Sequence, residues 1–600
     1  MEEMRKNIKN HRDNIKEIFD KLERVGVIGS PSSTTQLSAD LLGTAVTKKL
    51  VGDLVTFNYI QDGADHYALG QIVEMKMRNV WLEDPTLRSL IRQKGNVVPV
   101  TEKQDFHYAV MNVSSVFSVG SETEPSMLGT IPSTGTSIRL MNEDMMRSLL
   151  VRLNYNFTFL GNAYGTEIKL PMWFKHFEKG NGGAGEAYHI GIFGKTGSGK
   201  SVLSKMIVLG YAKNKKMSIF ILDPQGEFTK IKSDSNIQSL TKNVFGKEIE
   251  FISLQNLVLS GDELFKNVLV GSPFLVTIGV RHPENRKSAA DQIEAILKGK
   301  KGHLITAPKK EIKPWEYYKR EVFDGVWETM KSESVLSAIY TSPEPRDRVR
   351  SNLNTLDPDE IYKLWSKICK LFSYDANPNK RKISDLVKEI IDPEIGKFII
   401  IDLSESNITE DLYWNREIQK VVINELLTKL IKTGDDLYKE DKLLNCLVVL
   451  DEAHRLAPRE IDKEDEVATD LKTTIVDGAL TTRKYGLGWM FISQTISRLD
   501  REIIDQIRAY FFGYGLAYGI ERQALRDIVG GHEDSLNLYQ LFKDPQSGFG
   551  RPEYSFMSYG PISPLSFSGA PLFFTTFFFP SDFVKLNFGS NSGAKSDQKV

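Results

Sequence analysis

Cysteine is almost absent from this chain: two in 600 residues, Cys369 and Cys446, in no CxxC arrangement. This excludes a disulfide framework and a thiolate zinc site, and it fits a reducing cytosol, so a cytoplasmic location is expected. The nine histidines supply no HExxH and no closely spaced pair, which removes the common histidine metal motifs. An excess of one charge is missing too. Lys+Arg 77 against Asp+Glu 78 leave a net charge of −1, which rules out a chain coated in positive charge but not a basic strip inside a neutral total. Long hydrophobic runs are also lacking. The greasiest stretch, APLFFTTFFFP at 570–580, falls short of the roughly 20 residues a membrane helix needs. The charged N-terminus lacks the apolar centre of a signal peptide. A soluble protein with no membrane contact is the expectation.

What is present is globular: 41% hydrophobic and 26% charged residues, over a length that implies about four domains. Residues 1–25 read as an amphipathic helix, with Ile15, Ile18, Phe19 and Leu22 on one face. Residues 26–165 hold short alternating runs broken by Gly, Pro and Ser, the texture of a small β-barrel. From 166 to 229 and again from 396 to 560, fully apolar runs alternate with helical segments: HIGIF, SIFIL, FIIIDL, LVVL, WMFIS and YFFGY. Such strands are buried on both faces, as in a parallel sheet covered by helices. The intervening 230–395 is charged and rich in helix formers, and reads as a mostly helical insertion. Its lysines (Lys298, Lys300, Lys301, Lys309, Lys310 and Lys313) read as solvated surface before a phosphate-contacting loop. Residues 561–600 lack a core of their own. Their aromatics must pack on something else, either this subunit or the next, and the neighbouring subunit is the expected one.

One loop carries the strongest chemical signal. Gly194, Lys195, Thr196, Gly197, Ser198, Gly199, Lys200 and Ser201 form a complete GxxxxGK[ST] between a strand and a helix that continues through Val202. Glycines let backbone N–H groups curl around a polyphosphate, and the helix N-terminus adds its positive dipole end. Lys200 would reach the β- and γ-phosphates of ATP, and the Ser201 hydroxyl would take a position on Mg²⁺. Such a loop needs an acid at the end of a neighbouring parallel strand. LVVLDEAH supplies Asp451 for the metal, through water, and Glu452 as general base. His454 is assigned no chemistry. Gln494, after WMFIS, is placed to sense the γ-phosphate or position water. Arg483 ends the preceding helix; it is either a cation favoured there by the helix dipole or an arginine finger for a neighbouring site. Gln225 and Glu227, after the second strand, would face the same crevice.

Taken in order, GKTGSGKS, LDPQGEF, IIIDLSE, VVLDEAHRLAP and RKYGLGWMFISQT resemble the HerA family, within the HerA/FtsK group of RecA-like ATPases. LVGDLVTF and ALGQIVEM resemble that family's N-terminal HAS-barrel. The resemblance implies an α/β fold: a RecA-like P-loop ATPase core with a parallel sheet, a small N-terminal β-barrel and a helical insertion. It further implies a homohexameric ring that moves on double-stranded DNA using ATP and Mg²⁺, with a trans-acting arginine at or near Arg483. The family's SQRP-like string is here Ser493-Gln-Thr-Ile496. Members of the family act with a partner nuclease, or beside a sirtuin-like or nuclease effector in antiviral defence. The alternative function is an ATPase scaffold that assembles and regulates such an effector, with DNA translocation secondary.

Overall fold

The computed structural model describes residues 2–95, 102–151, 157–180, 182–299, 311–374, 380–391, 394–405, 408–462, 465–547, 552–567 and 569–589. The N-terminal strands are β1 (Arg24–Ile28), β2 (Gln36–Leu41), β3 (Leu54–Gln61), β4 (Ala64–Arg78), β5 (Phe106–Val119), β6 (Thr123–Ser126) and β7 (Ser137–Leu140). They run in the order β2-β1-β7-β3-β4-β5, and β5 pairs back onto β2. Six strands thus close into a barrel, with β6 added on the outside of β5. Closure removes the sheet edges, and the interior is filled by residues such as Val55, Phe57, Ala68, Met111 and Ile138. The helix Glu2–Lys21 packs on this same chain: Ile15, Phe19 and Leu22 are buried, and Phe19 meets Tyr67 of the barrel edge-on at 5.4 Å.

The remaining strands are β8 (Thr158–Ala163), β9 (Lys169–Met172), β10 (His189–Phe193), β11 (Ser218–Asp223), β12 (Ile249–Ser253), β13 (Leu257–Val258), β14 (Arg381–Lys382), β15 (Phe398–Asp402), β16 (Cys446–Leu450), β17 (Leu487–Ser493), β18 (Ile507–Gly513), β19 (Tyr554–Tyr559) and β20 (Leu572–Thr576). All but β13 and β14, which pair with each other, join one sheet in the order β12-β15-β11-β16-β17-β10-β18-β19-β20-β8-β9. The seven from β12 to β18 are parallel, and the last four are antiparallel. The predicted α/β class, RecA-like core and small barrel are all observed.

Strand periodicity accounts for the two-sided burial. Phe220, Leu222, Ile399, Ile401, Val448, Leu450, Trp489 and Phe491 pack in one core. Their sequence neighbours Ile219, Ile221, Ile400, Leu447, Val449, Met490 and Ile492 pack in the other. Alternate residues point to opposite faces, so strands sandwiched between helices must be apolar throughout. The first face carries the helices Arg416–Lys439 and Glu466–Thr481 together with the helices between 262 and 388; the second carries the helix Lys200–Ala212.

Two segments behave differently from their texture. Within the charged stretch 230–395, Ile249–Ser253 is the edge strand of the sheet, half-exposed and therefore part polar. Near the C-terminus, Leu572–Thr576 is a strand of this chain's own sheet. Phe573 and Phe574 are buried there, and the helix Pro580–Phe588 places Phe583 in the same core. These aromatics, expected on a neighbouring subunit, pack in cis because β19, β20, β8 and β9 extend the parallel sheet and give them a surface. Ser590–Val600, and Lys300, Lys301, Lys309 and Lys310 of the lysine cluster, lie outside the described residues. The short helix Glu533–Gln540 joins the barrel to the sheet. Its Asp534 accepts from Gln36 at 2.5 Å and its Ser535 from Asn112 at 2.7 Å. At its other end the Tyr539 hydroxyl donates to Gly513 O at 2.5 Å and accepts from Leu516 N at 3.1 Å.

Candidate nucleotide site

The loop after β10 has the backbone its glycines permit. Gly194, Gly197 and Gly199 have φ of 155°, 82° and 90°, values that side chains beyond Cβ-less glycine rarely adopt. Gly199 leads directly into the helix Lys200–Ala212, whose first N–H groups have no partner inside the helix. Two contacts hold the loop to the sheet: Gly194 N donates to Ser493 O at 3.3 Å, and Lys195 N to Tyr514 O at 2.9 Å. Lys200 folds back over it, donating to Gly194 O at 2.6 Å and Lys195 O at 3.1 Å. Burial lowers the Lys200 pKa, against the attraction of Glu452 and Asp451. Ser198 is buried, its hydroxyl without a hydrogen bond, and Ser201 is exposed at the helix start beside the half-buried Val202.

One strand, β17, separates β10 from the acid-bearing β16. Phe193 is level with Ser493, and Phe491 with Leu450, so the loop, Gln494 and Asp451 emerge at one edge, about 10 Å across two strand spacings. There Asp451 and Glu452 are both buried, each 8% exposed. Burial, then the adjacent Glu452, pushes Asp451 up to about 7. Glu452 stands in the left-handed region at φ 51°, a conformation uncommon outside glycine and often stored at functional sites. A relay ties it to the loop: Thr196 donates to Gln494 Oε1 at 3.3 Å, and Gln494 Nε2 donates to Glu452 Oε1 at 2.7 Å. Among the described residues Glu452 Oε2 is buried with no hydrogen bond, 3.5 Å from His454 Nδ1 and 3.6 Å from Arg455 Nε. Burial lowers His454, which also meets the Ser493 hydroxyl at 3.2 Å.

Two buried carboxylates, an oxygen lacking a hydrogen bond and an exposed serine at the helix start suit a divalent cation. Among the described residues no cluster of three or more His, Cys, Asp or Glu is arranged for a metal. A cation here would therefore draw on Ser201, Asp451, water and phosphate oxygens, as Mg²⁺ commonly does.

Of the other candidates, Arg483 and Lys484 lie at the opposite end of β17, whereas Gln225 and Glu227 follow β11, whose Leu222 is level with Leu450 of β16 at the edge that carries Asp451. Arg483 precedes β17, whereas Gln494 follows it; seven residues at about 3.3 Å each put the two some 23 Å apart. Its Nη2 donates to Glu186 Oε1 at 2.6 Å, while Nε is buried without a hydrogen bond. Lys484 sits over the rings of Tyr485 and Tyr438. Gln225 is exposed, and Glu227 pairs with Lys230 at 2.5 Å. Asp223, buried at the end of β11, accepts from Glu227 N, Thr229 N and the Thr229 hydroxyl, which shapes the turn.

Sequence reasoning missed the flank beyond β18. A Cβ on Gly199 would lie 2.4 Å from Tyr554 Cγ, and one on Gly197 2.6 Å from Gln546 Nε2. The available signal was Gly513-Tyr514-Gly515, two glycines around a tyrosine at a strand end beside a phosphate loop.

This fold and site define a P-loop ATPase core of RecA-like type. Residues 187–431 match the family model of the central domain of helicase HerA. Asp451, Glu452, Arg483 and Gln494 follow the matched segment. No curated protein matches the sequence. Among solved structures, VirB4 of Thermoanaerobacter pseudethanolicus is similar at 14% identity and a TM-score of 0.38, covering 72% of this chain and 98% of that one. The pCW3 conjugation coupling protein TcpA with ATPgS is similar at 11% identity and a TM-score of 0.28, covering 88% and 93%. The genome packaging NTPase B204 from Sulfolobus turreted icosahedral virus 2 with AMPPCP is similar at 12% and 0.20, covering 32% and 72%. No helix among the described residues is long and apolar enough to cross a membrane.

Proposed function

We propose that this protein is an ATP-hydrolysing motor that assembles as a homohexamer, moves on double-stranded DNA and acts with a partner nuclease or effector, in antiviral defence. The observation carrying the ATPase part is the relay Thr196–Gln494–Glu452 beside Lys200, which joins the phosphate loop to a buried, hydrogen-bond-poor carboxylate. Glu452 takes the proton from a water attacking the γ-phosphorus, and Gln494 fixes that carboxylate while its own position answers to the loop. Lys200 holds the β- and γ-phosphate oxygens. Ser201 and, through water, Asp451 would hold Mg²⁺, which would supply positive charge against the phosphates. The separation of Arg483 from its own loop supports a role at a neighbour's site, which makes hydrolysis depend on assembly. The DNA role is supported by the match to the central domain of helicase HerA; the partner and defence roles rest on the motif resemblance alone.

The test is ATPase activity with and without double-stranded DNA in wild type and Lys200→Ala. Activity raised by DNA and lost in the variant supports the motor. Activity raised only by a partner protein favours the scaffold, and retained turnover in Lys200→Ala refutes the site.

A further inference from the structure

We propose that a cavity on the far side of the P-loop, lined by Tyr514, Gly515, Tyr518, Tyr539, Phe542 and Lys543, receives the base of the bound nucleotide. This inference rests on the P-loop reading above and adds where the rest of the ligand goes.

The sheet order gives the nucleotide a direction. The acids and Gln494 come from β16 and β17, on one side of β10, so the γ-phosphate and metal belong on that side. The other end of the nucleotide must leave toward β18, β10's other neighbour. A cavity of about 430 Å³ lies there, in the chain following β18. It abuts the loop directly: Tyr514 O accepts from Lys195 N at 2.9 Å, and a Cβ on Gly515 would come within 2.6 Å of Lys195 Cγ. Gly515, at φ 103°, is the residue that lets this wall approach so closely.

The lining suits a flat heterocycle. Tyr539 and Phe542 are buried and in contact, with ring centroids 5.0 Å apart. The two Tyr539 hydroxyl bonds to Gly513 and Leu516 make that wall rigid. Tyr518, by contrast, is 76% exposed at the cavity. A large aromatic left in water beside a nucleotide loop is placed to stack on a base, and stacking of this kind tolerates any base. Lys543 and Asp544 give the rim both charge signs, for ribose and α-phosphate contacts.

Calorimetric titration of the full chain with Mg²⁺ and either ATP or inorganic tripolyphosphate tests this. Tyr518→Ala should weaken ATP binding about tenfold and leave tripolyphosphate unchanged. Ser547→Trp, which fills the cavity from an exposed position, should do the same. Equal losses for both ligands, or undiminished ATP affinity in both variants, overturn the base assignment. Lys200→Ala separates the two readings. If it loses both ligands while Tyr518→Ala and Ser547→Trp bind ATP normally, only the cavity assignment fails. If it binds tripolyphosphate as wild type does, the P-loop reading itself fails.

Discussion

Replacing Gly199 by alanine probes how the phosphate loop is packed as well as how it is bent. At φ 90° the backbone alone disfavours a side chain, by about 1–2 kcal/mol. The new methyl would also lie 2.4 Å from Tyr554 Cγ and 2.7 Å from both its Cβ and Cδ1. These atoms are the root of that side chain, so the ring cannot swing clear without a rotamer change. The ring is moreover stacked on Phe578, at 5.5 Å and 13°. Overpacking of this kind adds about 1–3 kcal/mol, for a total of about 2–5 kcal/mol. Tyr554→Ala removes the ring but leaves its Cβ, so it should relieve only part of the clash. In a double-mutant cycle on urea denaturation, followed through loss of nucleotide binding, Gly199→Ala should cost at least about 1 kcal/mol less in the Tyr554→Ala background. Effects that add to within about 0.5 kcal/mol would show that the ring does not press on the loop, and the packing argument would be wrong.

Glu452→Gln should abolish steady-state ATP turnover while leaving ATP affinity within a few-fold of wild type, because the proposed general base is lost and the proposed phosphate ligands are not; turnover near the wild-type rate would remove Glu452 from the chemistry. Arg483→Ala should cripple the assembled enzyme and bind nucleotide normally. Mixing Arg483→Ala with Glu452→Gln chains should restore activity if the arginine serves a neighbour, and the absence of any recovery would count against that role. Lys247, 2% exposed and donating to Asn214 O and Met217 O, is lowered by burial from 10.5 to about 7. Between these values the unfolded chain holds a proton that the folded chain releases, so stability falls as pH drops through the window, by up to about 1.4 kcal/mol per unit. Lys247→Met should flatten that slope in urea titrations at pH 7 to 10, and parallel slopes would disprove the assignment.

The parallel core was legible in the residues because strands covered on both faces admit no polar alternation: SIFIL, FIIIDL and LVVL run apolar up to their strand ends and are rich in β-branched residues. The phosphate loop was legible because its backbone needs glycine at fixed spacing. The chain-end strands were not. β19 mixes serine with aromatics in YSFMSY and β20 is the short run LFFTT, and nothing local says which sheet they join. The same holds for β12, whose IEFIS reads as part of a charged insertion. Within the site, Lys200, Asp451 and Glu452 could be picked out by residue type. The relay through Thr196 could not, because a hydrogen bond between residues 196 and 494 is set by the register of β10 against β17. Tyr554 and Gln546 were hidden for the same reason: they reach the loop from an antiparallel strand and its preceding turn. Arg483 shows the opposite failing. Its place in a motif is visible, but its ion pair with Glu186 depends on where two helix and strand starts meet.

The helix Glu533–Gln540 is pinned at both ends, to barrel side chains through Asp534 and Ser535 and to the chain following β18 through Tyr539. Eight residues of helix span only about 12 Å, too short and too stiff to absorb movement by bending. Any displacement of the backbone at Gly513 or Leu516 would oblige the barrel either to travel with it or to forfeit bonds of roughly 0.5–1.5 kcal/mol apiece. The front barrel is therefore tied to the ATPase core by a strut.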